Sequence, residues 1–349
     1  MSQGRFKNPV EAVLTGVKDI FRKQQLEDHY SAENRLDGKN VLITGANSGL
    51  GFGVAVDIAK RGANVFMACR SGIPEKGEEV KQLSGSDKVE MLYVDLSDIN
   101  KIHAFCDEIK GKGLQFDVVI NNAGVTPPKA RKTPQGQDEM FMVNYLAKFI
   151  MINRFLLDNS LPNQLYGQGR PADRPIPRVI FVSSDSHQGA SEIDYEEFGK
   201  FQPYGVKKSI SNYSYFKLVL NTLSTEFSRR TQNEHGIDIA MHAMCPGPVD
   251  TNIIRDAPPA LKGFMKIIFK LFFRSPEKAA KPVTYMSASP EMEGLTNDYL
   301  HMFNRKKMDP KTYDPAAGKK LWEASSALWK QLDPERARTI SEAAASAAN

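Results

Sequence analysis

A tyrosine followed four residues later by a lysine is the pattern in this chain best suited to acid–base chemistry, and it occurs twice. Tyr204 and Lys208 lie in PYGVKKS, and Tyr213 and Lys217 lie in YSYFKLVLNTLSTEF. On a helix, residues i and i+4 share a face, so the lysine charge favours tyrosinate and lowers the pKa of the phenol. Such a phenol can exchange a proton with a carbonyl or alcohol oxygen.

The local sequence favours the second pair. Tyr204 lies between a proline and a glycine, and both neighbours disfavour a rigid helix. Tyr213 begins a helical pattern that Ser209 or Ser211 can cap. The apolar residues of this pattern are Phe216, Leu220, Leu223 and Phe227. We therefore predict that Tyr213 and Lys217 form the reactive pair.

A glycine-rich turn at residues 44–51 connects a β-rich run to a helical pattern. The run VLIT leads directly into TGANSGLG. Glycines at such a turn let the backbone approach a pyrophosphate, and the N-terminus of the following helix meets its charge. The turn therefore predicts a dinucleotide site. Its predicted contacts are Thr44, Gly45, Asn47, Ser48, Gly49, Leu50 and Gly51.

The spacing TGxxxGxG, with NNAG and YxxxK further along the chain, resembles the short-chain dehydrogenase/reductase family. The resemblance extends from about Asp37 to Leu332. The segments ACR, VSSDSH, SPEKAA, SPEMEG and GKKLWE are most similar to the branch of retinol dehydrogenases and protochlorophyllide reductase-like proteins. The resemblance implies an oxidoreductase that transfers a hydride between a nicotinamide cofactor and a carbonyl or alcohol, with Tyr213 as general acid/base.

The resemblance also assigns two further catalytic residues. Ser184, after the fifth strand, takes the position whose hydroxyl holds the substrate oxygen, and Ser183 and Ser186 are nearby alternatives. Asn144 matches the helix asparagine that holds a water linking the lysine to solvent, although the pattern also fits a buried structural asparagine. His187 adjoins the site, and we assign it no catalytic role.

Arg70 follows the second strand, where an NAD-type site places a carboxylate. Its planar guanidinium can instead bind the 2′-phosphate of NADP(H), and the family resemblance to members with ACR favours the same cofactor. The alternative is a solvated arginine at a strand end. The remaining cofactor contacts implied by the resemblance are Asp95, Leu96, Asn122, Ala123, Gly124, Pro246, Gly247, Val249 and Thr251, in addition to Tyr213 and Lys217. We predict no metal site.

Short β-rich runs alternate with longer helical patterns from residue 40 onwards, which is typical of a parallel sheet covered by helices on both faces. We therefore predict an α/β fold: a Rossmann-type doubly wound parallel sheet of about seven strands. The predicted strands are Asn40–Thr44, Asn64–Cys69, Val89–Val94, Asp117–Asn121, Arg178–Ser183, Ile237–Met244 and Tyr299–Phe303.

Extensions flank the predicted dinucleotide-binding domain, which covers 37–332. Residues 1–36 form an N-terminal extension with a predicted helix at Pro9–Lys23, and 333–349 are predicted to be a flexible tail. A substrate lid is expected at about 252–275. Within it, 261–274 carries a basic residue every fourth position among large apolar residues. That composition suits either a lid or a peripheral membrane contact.

Composition narrows the class of protein. The chain of 349 residues is 41% apolar, carries a net charge of +5 and has three cysteines without a CxxC pair. No apolar run is long enough for a transmembrane helix, and the first residues do not form a signal peptide. We therefore expect a cytoplasmic protein, membrane-associated if 261–274 binds lipid, that acts on a lipophilic small molecule. A homo-oligomer is compatible with the sequence, and no nucleic-acid motif is present.

Two other functions are weighed against this one. A non-catalytic, cofactor-sensing scaffold could use the same fold and its two extensions. The presence of Asn144, Ser184, Tyr213 and Lys217 together argues against it, since a scaffold need not retain all four. An epimerase or dehydratase would favour a TGxxGxxG turn and a larger C-terminal domain, and the sequence has neither.

Overall fold

A mixed sheet forms the centre of the computed structural model, which describes residues 24–167, 169–171, 173–247 and 275–347. Within these residues the sheet has eight strands in the order β8-β7-β6-β5-β4-β1-β2-β3. The strands are β1 (Asn40–Thr44), β2 (Asn64–Cys69), β3 (Val89–Tyr93), β4 (Val118–Asn121), β5 (Arg178–Val182), β6 (Ala240–Cys245), β7 (Tyr299–His301) and β8 (Asn304–Arg305). All neighbours pair in parallel except β8, which is antiparallel to β7.

Helices cover both faces of this sheet. They are α1 (Gly49–Lys60), α2 (Glu75–Ser84), α3 (Ile99–Gly111), α4 (Glu139–Leu157), α5 (Val206–Arg230), α6 (Pro276–Ala288), α7 (Pro315–Leu332) and α8 (Ile340–Ala347). Side chains alternate across each strand, so Val41 and Ile43 pack with α1 and α6, whereas Leu42 packs on the other face with α3 and α4. Both faces of the sheet are therefore buried, as the apolar strands require.

The predicted fold class is confirmed, and the seven predicted strands are present. The first two have the predicted ends, and the other five differ by up to three residues. The sixth begins at Ala240 rather than at Ile237, because Gly236–Ile237 instead pairs with Gln232–Asn233 in a short hairpin. The eighth strand was beyond sequence prediction, since two residues carry no periodic pattern.

Helix α4 has an irregular first half. A π-helical turn at Met142–Leu146 separates Glu139–Phe141 from the regular helix that starts at Ala147. By length and apolar composition α4 could cross a membrane, yet 89% of its most apolar stretch is buried inside the protein. It is the central core helix on its face of the sheet.

The predicted cap of helix α5 is wrong. Helix α5 begins at Val206 with Gly205 as its N-cap, so neither Ser209 nor Ser211 caps it. Ser209 lies inside the helix, where its hydroxyl donates to the carbonyl of Pro127 at 2.7 Å. The helix starts earlier because the preceding glycine provides an extended backbone at the cap.

The C-terminal segment is ordered where the sequence predicts a flexible tail. Residues 340–347 form α8, and the side chain of Ile340 is fully buried. Thr339 and Glu342 bond reciprocally at its start: the Thr339 N–H donates to the Glu342 carboxylate at 2.8 Å, and the Glu342 N–H donates to the Thr339 hydroxyl at 3.4 Å. This is a capping box, a recognised helix-start signal.

Several predicted features lie outside the described residues. These are the helix at Pro9–Lys23, the segment 252–274 with its basic-apolar stretch, and the predicted cofactor contacts Val249 and Thr251. Of the N-terminal extension, 24–36 is described, and the Leu26 N–H donates to the carbonyl of Phe303 at 2.9 Å.

Candidate active site

The carboxyl ends of β1, β4, β5 and β6 meet at one edge of the sheet. The strand order reverses direction between β1 and β4, and in open α/β sheets ligands bind in the crevice at this point. The glycine turn follows β1, NNAG includes the end of β4, Ser184 follows β5, and Cys245-Pro246-Gly247 follows β6. The topology therefore gathers the predicted motifs at a single edge.

The Tyr213–Lys217 pair lies on α5 against this edge. Lys217 is buried, and its ammonium donates to the carbonyl of Val182, the last residue of β5, at 2.7 Å. The same Nζ is 5.3 Å from the centre of the Tyr213 ring. Burial lowers the pKa of Lys217 to about 8. Its proton is therefore exchangeable near neutral pH.

The pKa of Tyr213 is raised rather than lowered in this structure. Burial is the main cause, and the charge on the neighbouring Cys245 thiolate adds to it, while a hydrogen bond with Ser184 acts in the opposite direction. The sequence pattern alone predicts a lowered pKa, because it contains the lysine but not the burial of the phenol. Tyr213 is thus held protonated, as a general acid requires.

The alternative pair, Tyr204 and Lys208, does not lie on one helix. Tyr204 precedes the start of α5, and the Lys208 side chain is exposed. Burial and the nearby Asp138 carboxylate raise the pKa of Tyr204. The i, i+4 geometry that joins Tyr213 to Lys217 on one helix is therefore missing for Tyr204 and Lys208.

Ser184 caps a single 3₁₀ turn, Asp185–Gly189, and its hydroxyl accepts from the Ser186 N–H at 3.3 Å. His187 fixes this turn. Its Nδ1 lies 2.7 Å from the carbonyl of Ser184, and its Nε2 lies 3.1 Å from the N–H of Asp309. Nδ1 therefore carries the proton and Nε2 accepts, so His187 is neutral. Both of its ring nitrogens are used in hydrogen bonds, and the one from Nδ1 positions the Ser184 backbone.

Asn144 lies in the π-helical turn of α4 and is fully buried. Its amide hydrogen-bonds to both backbone groups of Val125: Oδ1 accepts from the Val125 N–H at 2.8 Å, and Nδ2 donates to the Val125 carbonyl at 2.9 Å. Asn144 therefore anchors the segment that follows NNAG. These contacts are compatible both with the predicted water-holding role and with a structural role.

The glycine turn and NNAG are joined by hydrogen bonds. The Asn122 amide donates to the carbonyls of Thr44 and Gly45 at 3.0 and 3.1 Å, and the Ala123 N–H donates to the Thr44 hydroxyl at 3.1 Å. Gly45 has a φ of +66°, and a Cβ on it would lie 2.9 Å from the Cα of Ala123. Only glycine allows this close approach.

The residues at this turn fit a dinucleotide. Helix α1 starts at Gly49, and the Ser48 hydroxyl makes no cap hydrogen bond to it. Because the first N–H groups of a helix have no intrahelical partners, they remain available to an anion. A Cβ on Gly51 would lie 2.4 Å from both the Asn122 amide nitrogen and the Gly45 carbonyl oxygen, so no side chain fits at this position.

Arg70 is half-exposed at the end of β2. Its Nη1 lies 3.7 Å from both the Asp95 and the Glu139 carboxylates, which is beyond hydrogen-bond distance. Beside it, the Asn47 amide donates to the Ser71 carbonyl at 3.1 Å and to the Ser71 hydroxyl at 3.2 Å. Exposed ion pairs of this length are weak, so the guanidinium can turn towards a phosphate near the glycine turn.

The remaining predicted cofactor contacts lie at the same edge where they are described. Asp95 accepts from the N–H and the hydroxyl of Ser97, and Leu96 is buried. Gly247 has a φ of +80°, and a Cβ on it would meet the Met302 sulfur at 2.9 Å. This turn therefore requires glycine.

Lys148 is a buried residue that the sequence analysis did not single out. Its ammonium donates to the carbonyl of Ala123 at 2.9 Å and to that of Val143 at 2.8 Å. Burial, with the charge of Lys217, lowers its pKa well below the usual value. It connects NNAG to the π-helical turn. A lysine one helical turn after Asn144 within an apolar helix could have signalled an inward-facing role.

Comparison with known proteins shows the family of this chain. A family model for short chain dehydrogenases matches residues 39–185. Human retinol dehydrogenase 14 is 30% identical over 312 residues, covering 84% of this chain and 87% of its own length. Human polyprenol dehydrogenase is also 30% identical, covering 84% and 85%. The chain belongs to the short-chain dehydrogenase/reductase family, in the branch that contains the retinol dehydrogenases.

Solved structures share the fold. A Mycobacterium paratuberculosis protein of unassigned function superimposes with a TM-score of 0.64 at 25% identity, covering 88% of this chain and 98% of its own. The NADP complex of RhlG from Pseudomonas aeruginosa gives a TM-score of 0.57 at 20% identity, covering 78% and 97%. These structures show the fold, and membership of the family makes the chain an oxidoreductase.

Proposed function

We propose that this protein is an NADP(H)-dependent oxidoreductase that transfers a hydride between nicotinamide and a carbonyl or alcohol of a lipophilic substrate. Tyr213 acts as the general acid/base, Lys217 and Ser184 adjust and orient it, and Asn144 supports the site. The single observation that carries the proposal is that Tyr213, at the carboxyl edge of the sheet, has the Lys217 ammonium 5.3 Å from its ring centre and a hydrogen bond with Ser184.

The bound nicotinamide would supply or accept the hydride, and the protein must manage the proton. During reduction, Tyr213 gives its phenolic proton to the substrate oxygen, while the Ser184 hydroxyl holds that oxygen. Lys217 has a pKa of about 8, so it can return a proton to the phenol near neutral pH. General acid catalysis of this kind contributes about 10²–10⁴-fold to the rate.

The residues proposed to hold the cofactor fall into three groups. The glycine turn, Thr44 to Gly51, binds the pyrophosphate at the N-terminus of α1. Asp95, Leu96 and NNAG border the adenosine half, and the turn from Pro246 through Val249 and Thr251 borders the nicotinamide. Arg70 selects NADP(H), because no carboxylate replaces it at the end of β2 and its guanidinium is half-exposed.

The proposed substrate class is lipophilic. Two observations support it: the names of the relatives specify retinol and polyprenol, and the basic-apolar segment 261–274 follows the turn expected beside the nicotinamide. Both retinol and polyprenol are allylic alcohols with long apolar tails. Binding would remove a large apolar area of such a substrate from water, and this favours the bound state.

A substrate screen tests the proposal directly. Purified protein is mixed with NADPH and, in turn, with retinal, a polyprenal, a ketosteroid, a quinone and a short hydrophilic aldehyde, and NADPH consumption is followed by absorbance. We expect turnover with one or more of the lipophilic carbonyls and little with the short aldehyde. NADPH binding without turnover of any compound would favour a cofactor-sensing scaffold on the same fold.

A further inference from the structure

The three cysteines of this chain are all buried, but Cys245 has surroundings unlike those of Cys69 and Cys106. Burial raises the pKa of Cys69 to about 11 and that of Cys106 to about 12. Burial acts in the same direction on Cys245, yet its interaction with the His301 imidazole outweighs it and leaves the pKa below the usual value. The imidazole is the feature that sets Cys245 apart.

The sheet places this imidazole next to the thiol. Cys245 and His301 are direct partners in the parallel pairing of β6 with β7, so their side chains leave the sheet on the same face. The Met302 N–H donates to the Cys245 carbonyl at 2.8 Å and fixes the register immediately after His301. The contact is therefore a consequence of strand pairing rather than of a mobile side chain.

An ion pair between Lys306 and Asp185 lies next to the imidazole. His301 Nδ1 lies 3.4 Å from the Lys306 ammonium and 4.0 Å from the Asp185 carboxylate, and Lys306 and Asp185 form an ion pair at 2.5 Å. Burial lowers the pKa of His301, but the Cys245 thiolate and the Asp185 carboxylate together raise it above the usual value, against a smaller opposing effect of Lys306. Tyr299, also on β7, donates to Asp185 at 3.4 Å.

Cys245 lies on the face of the sheet covered by α5, the helix that carries Tyr213 and Lys217, and belongs to the same buried cluster as Phe216 and Val219 of that helix. Its charge raises the pKa of Tyr213 and, to a lesser extent than burial lowers it, that of Lys217. The next two residues, Pro246 and Gly247, begin the turn expected beside the nicotinamide. The thiol thus lies where substrate and cofactor are expected to meet.

We propose that Cys245 is a covalent modification site for α,β-unsaturated carbonyl compounds that enter the active site. The thiol gives its proton to His301, and the thiolate sulfur forms a bond to the β-carbon of the electrophile. The π-electron pair of the C=C bond moves to the α-carbon, which takes up a proton from the imidazolium. The product is a saturated thioether adduct, and nothing is oxidised or reduced. The proposal does not rest on the hydride-transfer chemistry.

Competitive labelling with N-ethylmaleimide, a small α,β-unsaturated carbonyl probe, tests the proposal. The native protein is labelled for a series of short times, and the label at Cys245, Cys69 and Cys106 is quantified by peptide mass spectrometry. The two other thiols are internal controls for buried cysteines without an imidazole. We expect Cys245 to react at least about tenfold faster than either, since nucleophilic thiolate forms there near neutral pH.

Two substitutions separate activation by His301 from simple access. In the variant His301→Gln, labelling of Cys245 should slow by about tenfold relative to Cys69 and Cys106, since the partner that favours thiolate is lost. His242→Gln is the matched control, because His242 is another fully buried imidazole on β6 but faces away from Cys245. Labelling of Cys245 should be unchanged in this variant.

The pH dependence of labelling in the unmodified protein gives a readout that does not depend on any variant folding. The rate at Cys245 should reach half its maximum below about pH 8.5, the value for an ordinary cysteine. The groups that set it are His301 and Tyr299 on β7, Asp185, Lys306, and the Tyr213–Lys217 pair. The proposal is overturned if Cys245 reacts no faster than Cys69 and Cys106, or if its midpoint is at or above the ordinary value.

Discussion

At the scale of single residues, Arg70 is the side chain that we propose selects NADP(H) over NAD(H). The change Arg70→Asp should weaken NADPH binding by about tenfold or more, because a charge-assisted contact to the 2′-phosphate contributes roughly 1.5–3 kcal/mol. It should also shift preference towards NADH, since the new carboxylate can accept from the ribose 2′-OH. Fluorescence titration with both cofactors measures this.

Lys60→Asp is the control for a general change in charge, because Lys60 is exposed at the C-terminal end of α1, opposite the end that the glycine turn precedes. It should leave both affinities nearly unchanged. Equal binding of NADPH and NADH by the unmodified protein would refute the role assigned to Arg70.

Lys217 makes stability depend on pH in a defined window. Its pKa falls to about 8 on folding, from about 10.4 in the unfolded chain. Between these values the unfolded chain binds more protons, so the free energy of unfolding rises with pH. This stabilising contribution is complete above the unfolded pKa and is lost as pH falls through the folded pKa.

Urea unfolding near pH 8 and near pH 10 tests this assignment in the apoprotein. Lys217→Met should reduce the rise in stability between the two pH values, since the titrating group is gone. Lys208→Met should leave the rise intact, because Lys208 is exposed. The same rise in wild type and in Lys217→Met would show that Lys217 is not the group responsible.

The sequence indicated which residues meet at the sheet edge far better than their electrostatic state. Spacing and chain position favoured Tyr213 over Tyr204, and only Tyr213 shares a helix with its lysine in the structure, because helix geometry is local. The raised pKa of Tyr213, the buried Lys148 and the Cys245–His301 contact all depend on residues far apart in sequence. No single-sequence pattern encodes the burial that controls them.

At the scale of secondary-structure elements, α8 tests whether the C-terminal segment contributes to the fold. Ile340 is fully buried, and its N–H donates to the Asn153 side chain on α4 at 2.9 Å. Ile340→Ala should lower the free energy of unfolding by about 3 kcal/mol, because it removes buried apolar volume and leaves a cavity. Ala344→Ser, on the exposed side of α8, should change it by less than about 0.5 kcal/mol.

Denaturant unfolding measures both variants. If both substitutions change the free energy of unfolding equally little, the prediction of a flexible tail would stand. The sequence carried the relevant signal, a threonine and a glutamate at capping-box spacing in TISE, but the alanine- and serine-rich composition after it favoured disorder. The strands of the sheet were easier to predict, since β1 to β6 are apolar runs bounded by turn residues.

At the scale of the whole molecule, the proposed lipophilic substrate needs a route to the site. Segment 261–274 lies outside the described residues, and its sequence places Lys262, Lys266, Lys270 and Arg274 at intervals of four. If it binds a membrane surface, affinity should rise with anionic lipid, because each basic residue near such a surface contributes about 1 kcal/mol.

Sedimentation with anionic and neutral vesicles measures this binding. The double substitution Lys266→Glu plus Lys270→Glu should abolish the preference for anionic vesicles, since two attractive charges become repulsive. Negligible binding in every case would leave a substrate lid as the role of this segment. In that event, apolar substitutions within it should raise KM for large substrates.

The central claim is that Tyr213 is the general acid/base, and the most direct measurement compares Tyr213→Phe with Tyr204→Phe. Both changes remove one phenolic hydroxyl from a partly buried tyrosine. With a carbonyl substrate identified by the screen, kcat of Tyr213→Phe should fall by about 10²-fold or more while NADPH affinity stays within about twofold. Tyr204→Phe should retain nearly full kcat. Full activity of Tyr213→Phe together with loss of activity in Tyr204→Phe would contradict the account.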